Sequence, residues 1–171
     1  MNEAIANLLN RASVRSFNGK PVEKEKMDLI LQAGLKAPSA MNRQTPRFVV
    51  VSDPELMKKL SAMNAAVMGA STDPFYGAPQ AVIVLGSTKG LPVQDCSLAL
   101  GNMLNAAFAL GVGSCWINRA KEMFESEEGK ALLAGWGIEE EVVGVGVCIL
   151  GYTDQQPGPK EIIPGRVFYA D

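Results

Sequence analysis

Four short apolar segments, separated by longer stretches of helical periodicity, constrain the fold of this chain more than any other feature. The segments are RFVVVS at 47–52, QAVIVLG at 80–86, SCWI at 114–117 and EVVGVGVCILGY at 141–152, and their apolar, β-branched composition is typical of buried strands. The spacing of apolar residues predicts helices at 3–10, 22–37, 54–68, 92–110 and 119–135. Strands separated by helices predict a three-layer α/β or α+β domain.

The ends of three predicted helices carry recognisable signals. Pro38 stops the helix at 22–37 because a proline ring does not fit a helix interior. Asp53 and Pro54 open the next helix, and Gly111 follows the long one. The chain has 171 residues, of which 47% are hydrophobic, and this is a usual length for one domain. We therefore expect a single domain over residues 1–171.

The charge and the distribution of apolar residues argue against nucleic acid and membranes as partners. The formal net charge is −2, so no overall basic field attracts nucleic acid or an anionic membrane. The longest apolar run, at 142–150, is much shorter than the roughly 20 residues of a membrane-spanning helix. The first residues lack the basic start and apolar stretch of a signal peptide. We expect a cytoplasmic protein that binds neither nucleic acid nor membranes.

The missing histidine and the scattered cysteines narrow the chemistry. The chain contains no histidine, which excludes Ser-His-Asp and Cys-His catalysis and every histidine-ligated metal site. Its three cysteines, Cys96, Cys115 and Cys148, are far apart in sequence and odd in number. This pattern does not indicate a redox pair, a zinc site or a disulfide framework. We expect three buried thiols.

Positive charge is concentrated in the segment RASVRSF at 11–17. In an extended segment Arg11, Ser13 and Arg15 point to one side, since successive side chains alternate. Guanidinium forks and a hydroxyl match the oxygens of a phosphate group. The alternative is that both arginines are solvated or pair with distant carboxylates.

A polar loop, APSAMNRQTP at 37–46, leads from a helix into the first predicted strand. Ser39, Asn42 and Gln44 place hydroxyl and amide groups at the mouth of that strand, where they can read the edge of a planar heterocycle. The alternative is that they cap backbone groups of the loop.

Two GxG patterns, at 111–113 and 144–146, lack the GxGxxG spacing of a dinucleotide fold. The glycines of the second pattern instead indicate a flat strand face that admits a packed helix.

The last twenty residues do not resemble part of a self-contained globule. Three prolines and two glycines prevent a helix there, and RVFYA at 166–170 is typical of one more strand. An extended arm of this kind must be tied down by something. A subunit partner would explain both the arm and the small residues of the long helix, although an ordinary helix contact within one chain also explains the latter.

Taken in order, five motifs resemble the nitroreductase family of FMN-dependent oxidoreductases, in its short form. They are RASVRSF, APSAMNRQTPRFVVV, FYGAPQAVIV, LALGNMLNAAFALGVGSCWI and a closing GY followed by a proline- and lysine-containing tail. The resemblance runs from residue 11 to the C-terminus. It implies an α+β fold with three α/β/α layers, a mixed central sheet, and a homodimer in which residues 153–171 form an arm that packs on the partner subunit.

The resemblance also assigns FMN-binding roles to individual positions. It implies that Arg11, Ser13 and Arg15 contact the phosphate and ribityl chain, and that Ile117 and Asn118 place backbone near the reactive flavin nitrogen. A loop from the second subunit reaches the flavin with Pro38, Ser39, Ala40 and Asn42, followed by Gln44. Lys160 matches a basic position of the tail that returns to the phosphate. The second basic position of that tail is occupied by Ile162, so Arg166 is the candidate substitute.

The family chemistry needs little from the side chains, because the bound flavin itself accepts and donates hydride. The resemblance implies hydride transfer from NADH or NADPH to FMN and then to nitroaromatic, quinone or similar small-molecule acceptors, by a ping-pong mechanism. It requires neither a metal nor a catalytic side chain. Alternatives are a protein that stores or senses FMN without turnover, and a specialised member that dehalogenates or degrades flavin.

Overall fold

The computed structural model describes residues 1–155, 157–158 and 160–170. It contains, in chain order, α1 (Glu3–Asn10), α2 (Lys24–Leu35), a 3₁₀ turn (Ala40–Asn42), β1 (Pro46–Val51), α3 (Pro54–Met68), β2 (Gln80–Ser87), α4 (Pro92–Ala109), β3 (Gly113–Ile117), α5 (Ala120–Glu125), α6 (Glu127–Gly135) and β4 (Val142–Gly151). The four predicted strands are confirmed, each within about two residues at its ends.

The four strands form one sheet in the order β1-β2-β4-β3. All three pairings are antiparallel, with Val50 opposite Val82 and Cys115 opposite Ile149. Within the described chain the expected mixed sheet is therefore not present. The reason is the order of the strands. Helix α4 connects β2 to β3, which run in the same direction, but β4 lies between them in the opposite direction, so no two neighbouring strands are parallel.

Helices cover both faces of the sheet, which confirms the three-layer α+β prediction. One buried cluster joins α3, α5 and α6 to the sheet and includes Leu60 and Ile83. The other joins α2 and α4 to the opposite face and includes Ile30 and Leu100. All eight residues of β2 are buried, as expected for a central strand. None of the helices in the described ranges is long and apolar enough to cross a membrane.

Local signals explain why α3 begins where the sequence predicts. The Asp53 carboxylate accepts a hydrogen bond of 2.8 Å from the Leu56 N–H, and Pro54 occupies the first turn. The single helix predicted at 119–135 is wrong, because the chain breaks into α5 and α6 at Ser126. The Ser126 hydroxyl accepts from the Gly129 N–H at 3.0 Å and so starts a new helix.

A close contact between a strand and a helix explains one of the glycines of β4. A Cβ atom added at Gly144 would lie 2.3 Å from the carbonyl oxygen of Ala120, the first residue of α5. This confirms the expectation that the flat face of this strand admits a packed helix. The contact fixes the turn between β3 and α5 against the sheet.

Tyr152, just after β4, contacts the start of α2 through its hydroxyl and its ring. Its hydroxyl donates to the Glu23 carboxylate and accepts from Lys26 Nζ at 2.8 Å. The Lys20 ammonium lies 4.6 Å from the centre of the Tyr152 ring, within the range of a cation–π contact. These contacts tie the end of the sheet to the start of α2.

The strand predicted at 166–170 does not form within the single chain. Val167, Phe168 and Tyr169 are 71%, 89% and 87% exposed, and the described residues pair with no part of this segment. A strand needs a neighbouring strand to bond its backbone groups, and one copy of the chain does not supply it. Pro159, one of the prolines of the arm, lies outside the described residues.

Candidate functional site

The basic segment at 11–17 runs along β3, at one edge of the sheet. The Val14 N–H donates to the Ser114 carbonyl oxygen at 2.9 Å, and the Asn18 N–H donates to that of Tyr152 at 2.9 Å. Val14 is buried, whereas Ser13 is half-buried and Arg15 is exposed. The segment therefore presents its hydroxyl and its second guanidinium away from the core, as expected for an extended chain.

Arg11 has a buried guanidinium nitrogen without a partner. Its Nη1 atom is buried and makes no hydrogen bond within the described part of the chain. Among the same residues, neither Arg11 nor Arg15 forms a salt bridge. A buried donor left unsatisfied costs about 1–3 kcal/mol, and more when it is charged. The pairing of these arginines with distant carboxylates is therefore not seen, and their charge is available to an anion.

The polar loop at 38–45 has a strained backbone. Met41, Asn42 and Gln44 have φ angles of 52°, 53° and 51°, in the left-handed region that costs most residues about 1–2 kcal/mol. The buried carboxylate of Asp95, in the first turn of α4, accepts from the Ala40 N–H at 2.9 Å and from the Thr45 hydroxyl at 2.7 Å. Asp95 thus fixes both ends of a loop whose own conformation is unfavourable.

Some side chains of this loop cap its backbone, and others are exposed and able to contact a ligand. The Ser39 hydroxyl accepts from the Gln44 N–H at 2.9 Å, so it caps the backbone of its own loop. Asn42 and Gln44 are exposed, and only a 3.3 Å bond between their amides links them. Pro38 is exposed as well. The loop therefore presents two amide side chains to the outside.

A third candidate region is the turn between β3 and α5. Ile117 is the buried last residue of β3, and Asn118 follows it at the surface. Arg119 has a φ of 76°, and its guanidinium forms an exposed ion pair of 3.1 Å with Glu122. The carbonyl oxygen of Asn118 accepts a 2.6 Å bond from the side chain of Asn64 on α3.

The two main groups of candidate residues lie at opposite edges of the sheet. Residues 11–15 lie along β3, whereas the loop at 38–45 leads into β1. Three strand spacings of about 4.8 Å separate these edges. Arg11, Ser13 and Arg15 thus lie on one short segment at one edge, and the loop at the other edge carries a second group. This group is Pro38, Ser39, Ala40, Asn42 and Gln44.

Lys160 and Arg166 lie on the exposed arm. Arg166 Nε donates to the Ile163 carbonyl oxygen at 2.9 Å. No hydrogen bond or ion pair among the described residues connects either side chain to the segment at 11–15. Their predicted roles at a phosphate therefore stay predictions.

The cysteines match the expectation of buried thiols. Cys96, Cys115 and Cys148 are free and buried. Burial raises the pKa of the Cys148 thiol to about 12. Burial, together with the neighbouring Asp95 carboxylate, raises the pKa of Cys96 to about 12 as well. These two thiols are protonated at neutral pH and are poor nucleophiles.

Sequence reasoning missed two polar residues that organise the site, Asp95 and Asn64. Asp95 follows Pro92 in the first turn of a helix, where acidic residues are common for electrostatic reasons. Asn64 had a usable signal, since it falls on the apolar stripe that contains Met57 and Leu60 at helical spacing. An amide on a buried stripe indicates a specific bonding partner.

Comparison with known proteins identifies the family. The model of the nitroreductase family matches residues 8–82. A protein of Archaeoglobus fulgidus, provisionally named NADH dehydrogenase/NAD(P)H nitroreductase, is 36% identical over 163 residues, which cover 91% of this chain and 88% of the relative. The chain belongs to the nitroreductase family, and the resemblance seen in its motifs is confirmed.

Solved structures agree with this assignment. A nitroreductase of Bacteroides fragilis with bound FMN superimposes with a TM-score of 0.91 at 28% identity, with all of both chains covered. A second nitroreductase with bound FMN, from Desulfitobacterium hafniense, gives a TM-score of 0.89 at 25% identity, again over the whole of both chains. The fold of this chain is therefore that of FMN-containing nitroreductases.

Proposed function

We propose that this chain is an FMN-dependent oxidoreductase, which takes hydride from NADH or NADPH and passes it to nitroaromatic, quinone or similar acceptors by a ping-pong mechanism. The observation that carries the proposal is the buried, unpartnered Nη1 of Arg11. It lies in a segment with a second free guanidinium and a hydroxyl, within a fold whose solved relatives hold FMN.

The residues of the basic segment fit one terminal phosphate. Arg11 and Arg15 supply guanidinium donors in the fork geometry that suits phosphate oxygens, and the Ser13 hydroxyl supplies another donor. No GxGxxG sequence is present to hold a second phosphate and an adenylate. The expected cofactor is therefore FMN rather than FAD.

The ring of the flavin would lie farther along β3. Asn118 is four residues beyond Ser114, which at a rise of about 3.3 Å per residue places them about 13 Å apart. A ribityl phosphate joined to a three-ring heterocycle can extend over such a distance. The backbone of Ile117 and Asn118 would then border the ring.

The position of the two groups at opposite edges of the sheet suits a homodimer with shared sites. In this proposal the polar loop reaches the flavin of a second copy, and residues 11–15 hold the phosphate of their own. Helix α1 buries none of its residues, and Ile5, Leu8 and Leu9 are exposed. Eight-residue helices are not stable without packing, and a partner subunit would supply that packing.

The C-terminal arm would complete the dimer. Among the described residues, strand β1 pairs only with β2, on one side. A cavity of about 460 Å³ lies beside β1, lined in part by Leu31, Leu35 and Phe48. The exposed Val167, Phe168 and Tyr169 of a partner could add a strand and fill this apolar groove. Lys160 would then return to the phosphate, with Arg166 as the second cation of the arm.

Bound FMN would supply the redox chemistry by taking up and giving back two electrons and a proton as hydride. The chain's own residues bind and orient it: the guanidinium groups hold the phosphate, and Asn42 and Gln44 present amide groups that suit the edge of a heterocycle. In this proposal the nicotinamide donor and then the acceptor would use the same face of the flavin in turn. No general base is required of a chain that contains no histidine.

The test is flavin content followed by anaerobic reduction. The purified protein should release one FMN per chain on heating, identified by chromatography, and NADH or NADPH should bleach the flavin without oxygen. Reoxidation by a panel of nitroaromatics and quinones then identifies the acceptor class. A protein that binds no FMN contradicts the proposal, and one that keeps oxidised FMN in the presence of both donors is a binding or sensing protein.

A further inference from the structure

Asn64 is a polar side chain buried in an apolar layer. It is 0% exposed, and its Nδ2 group donates to the Asn118 carbonyl oxygen at 2.6 Å and lies 3.2 Å from Met123 Sδ. Its Oδ1 atom is buried and has no hydrogen-bond partner in the described part of the chain. The amide therefore satisfies one carbonyl 54 residues away while leaving its own acceptor unsatisfied.

This bond fixes the orientation of one peptide group. The chain has no cis peptide among its described residues, and in a trans peptide the carbonyl and the following N–H point in opposite directions. The Asn118 carbonyl points towards Asn64 and α3, so the Arg119 N–H points away from the core. That N–H donates no hydrogen bond to any described residue.

The backbone at this peptide is also held in an unfavourable conformation. Arg119 has φ 76° and ψ 8°, a left-handed geometry that costs a non-glycine residue about 1–2 kcal/mol. Backbone strain of this kind persists only where the surroundings enforce it, and it occurs often at functional sites. The bond from Asn64 is the contact that enforces it from the α3 side.

Stability alone does not account for an asparagine here. A buried acceptor without a partner costs about 1–3 kcal/mol, and an apolar side chain of similar size would avoid that cost. Leucine at position 64 would extend the stripe formed by Met57 and Leu60. The asparagine thus destabilises the fold through its unpaired acceptor, and its observed effect is to fix the orientation of the Asn118–Arg119 peptide.

We infer that Asn64 is a positioning residue that aims the Arg119 backbone N–H at the flavin ring. The inference rests on the proposed function, since it places the ring beside Asn118. It concerns the backbone donor and not the Arg119 side chain, which is paired with Glu122. Asn64 acts through the peptide, so its loss should change flavin binding more than it changes folding.

The test compares variants at Asn64 with one control at Asn102. Asn64→Leu removes the amide, and Asn64→Ala serves if the leucine does not fold. Asn102→Leu removes a similar amide, which bonds the Ala33 carbonyl at 3.1 Å between α4 and α2. For each we would measure the melting temperature of the FMN-free protein, the FMN dissociation constant, and the FMN midpoint potential.

We expect Asn64→Leu to keep or raise the melting temperature and to weaken FMN binding about tenfold. Its relative affinity for oxidised and reduced FMN should also change at least tenfold, which for two electrons is a shift of about 30 mV. The control Asn102→Leu should keep the wild-type affinity and potential. Wild-type values in the Asn64 variants overturn this inference, as does an equal loss in Asn102→Leu. A wild-type protein that binds no FMN overturns the proposed function as well.

Discussion

Replacing Arg11 by methionine should have opposite effects on cofactor binding and on folding. Methionine keeps the length of the stem and removes the charge. A hydrogen bond to a charged group contributes about 1.5–3 kcal/mol, so FMN affinity should fall between about tenfold and 150-fold, at 1.4 kcal/mol per tenfold. Arg11→Met also removes the buried, unpartnered Nη1 donor, so the FMN-free protein should gain about 1–3 kcal/mol of unfolding free energy.

The matched control is Arg15→Met, because Arg15 belongs to the same segment but is exposed. It should weaken FMN binding similarly and leave the unfolding free energy within about 0.5 kcal/mol, as is usual at exposed positions. Flavin fluorescence titration measures the dissociation constant, and urea unfolding of FMN-free protein at one fixed concentration measures stability. If Arg11→Met binds FMN as tightly as the wild type, or unfolds more easily without it, the assignment of Arg11 to a phosphate site is wrong.

Three further outcomes are expected. Replacing any one cysteine should leave the rate of flavin reduction by NADH within about tenfold of the wild type, which corresponds to about 1.4 kcal/mol in the barrier. Stopped-flow measurements on Cys96→Ala, Cys115→Ala and Cys148→Ala check this. The Tyr152 hydroxyl lowers the pKa of Glu23 from 4.5 to about 2, so its contribution to stability is present above pH 4.5 and is lost as the pH falls towards 2. Tyr152→Phe should therefore be destabilised relative to the wild type in urea by more at pH 7 than near pH 2; the same difference at both pH values would contradict this. Deleting residues from 157 onward should dissociate the proposed homodimer and release FMN together. A truncated protein that sediments as a yellow dimer at low micromolar concentration would show that the arm is dispensable.

Much of the fold was accessible from the sequence because its signals are local. The cap at Asp53 and the proline after it predicted the start of α3, and the uninterrupted apolar run of β2 predicted a buried strand. The break at Ser126 was missed although it also has a local signal, since Ser126 caps the Gly129 N–H and Glu127 and Glu128 occupy the first turn of α6. The continuous helical periodicity over 119–135 outweighed that signal in the prediction.

Residues of the candidate site could be predicted only where they belong to a sequence motif. Arg11, Ser13 and Arg15 could be placed on one side of an extended segment by alternation alone. The positioning of Asn118 by Asn64, and of the polar loop by Asp95, joins residues about fifty positions apart. Periodicity within a helix cannot reveal which distant carbonyl or amide a buried polar side chain will meet.

The separation of the two halves of the site, at opposite edges of the sheet, has a thermodynamic consequence for the proposed dimer. A ligand held by both chains binds the pair and not the separate chains, so its free energy of binding is added to that of association. At a hundredfold excess over the dissociation constant this amounts to about 2.7 kcal/mol for each site. Dilution should therefore release FMN and dissociate the proposed dimer in one linked process. The concentration of free flavin in a cell would then help to set the fraction of the protein that is dimeric.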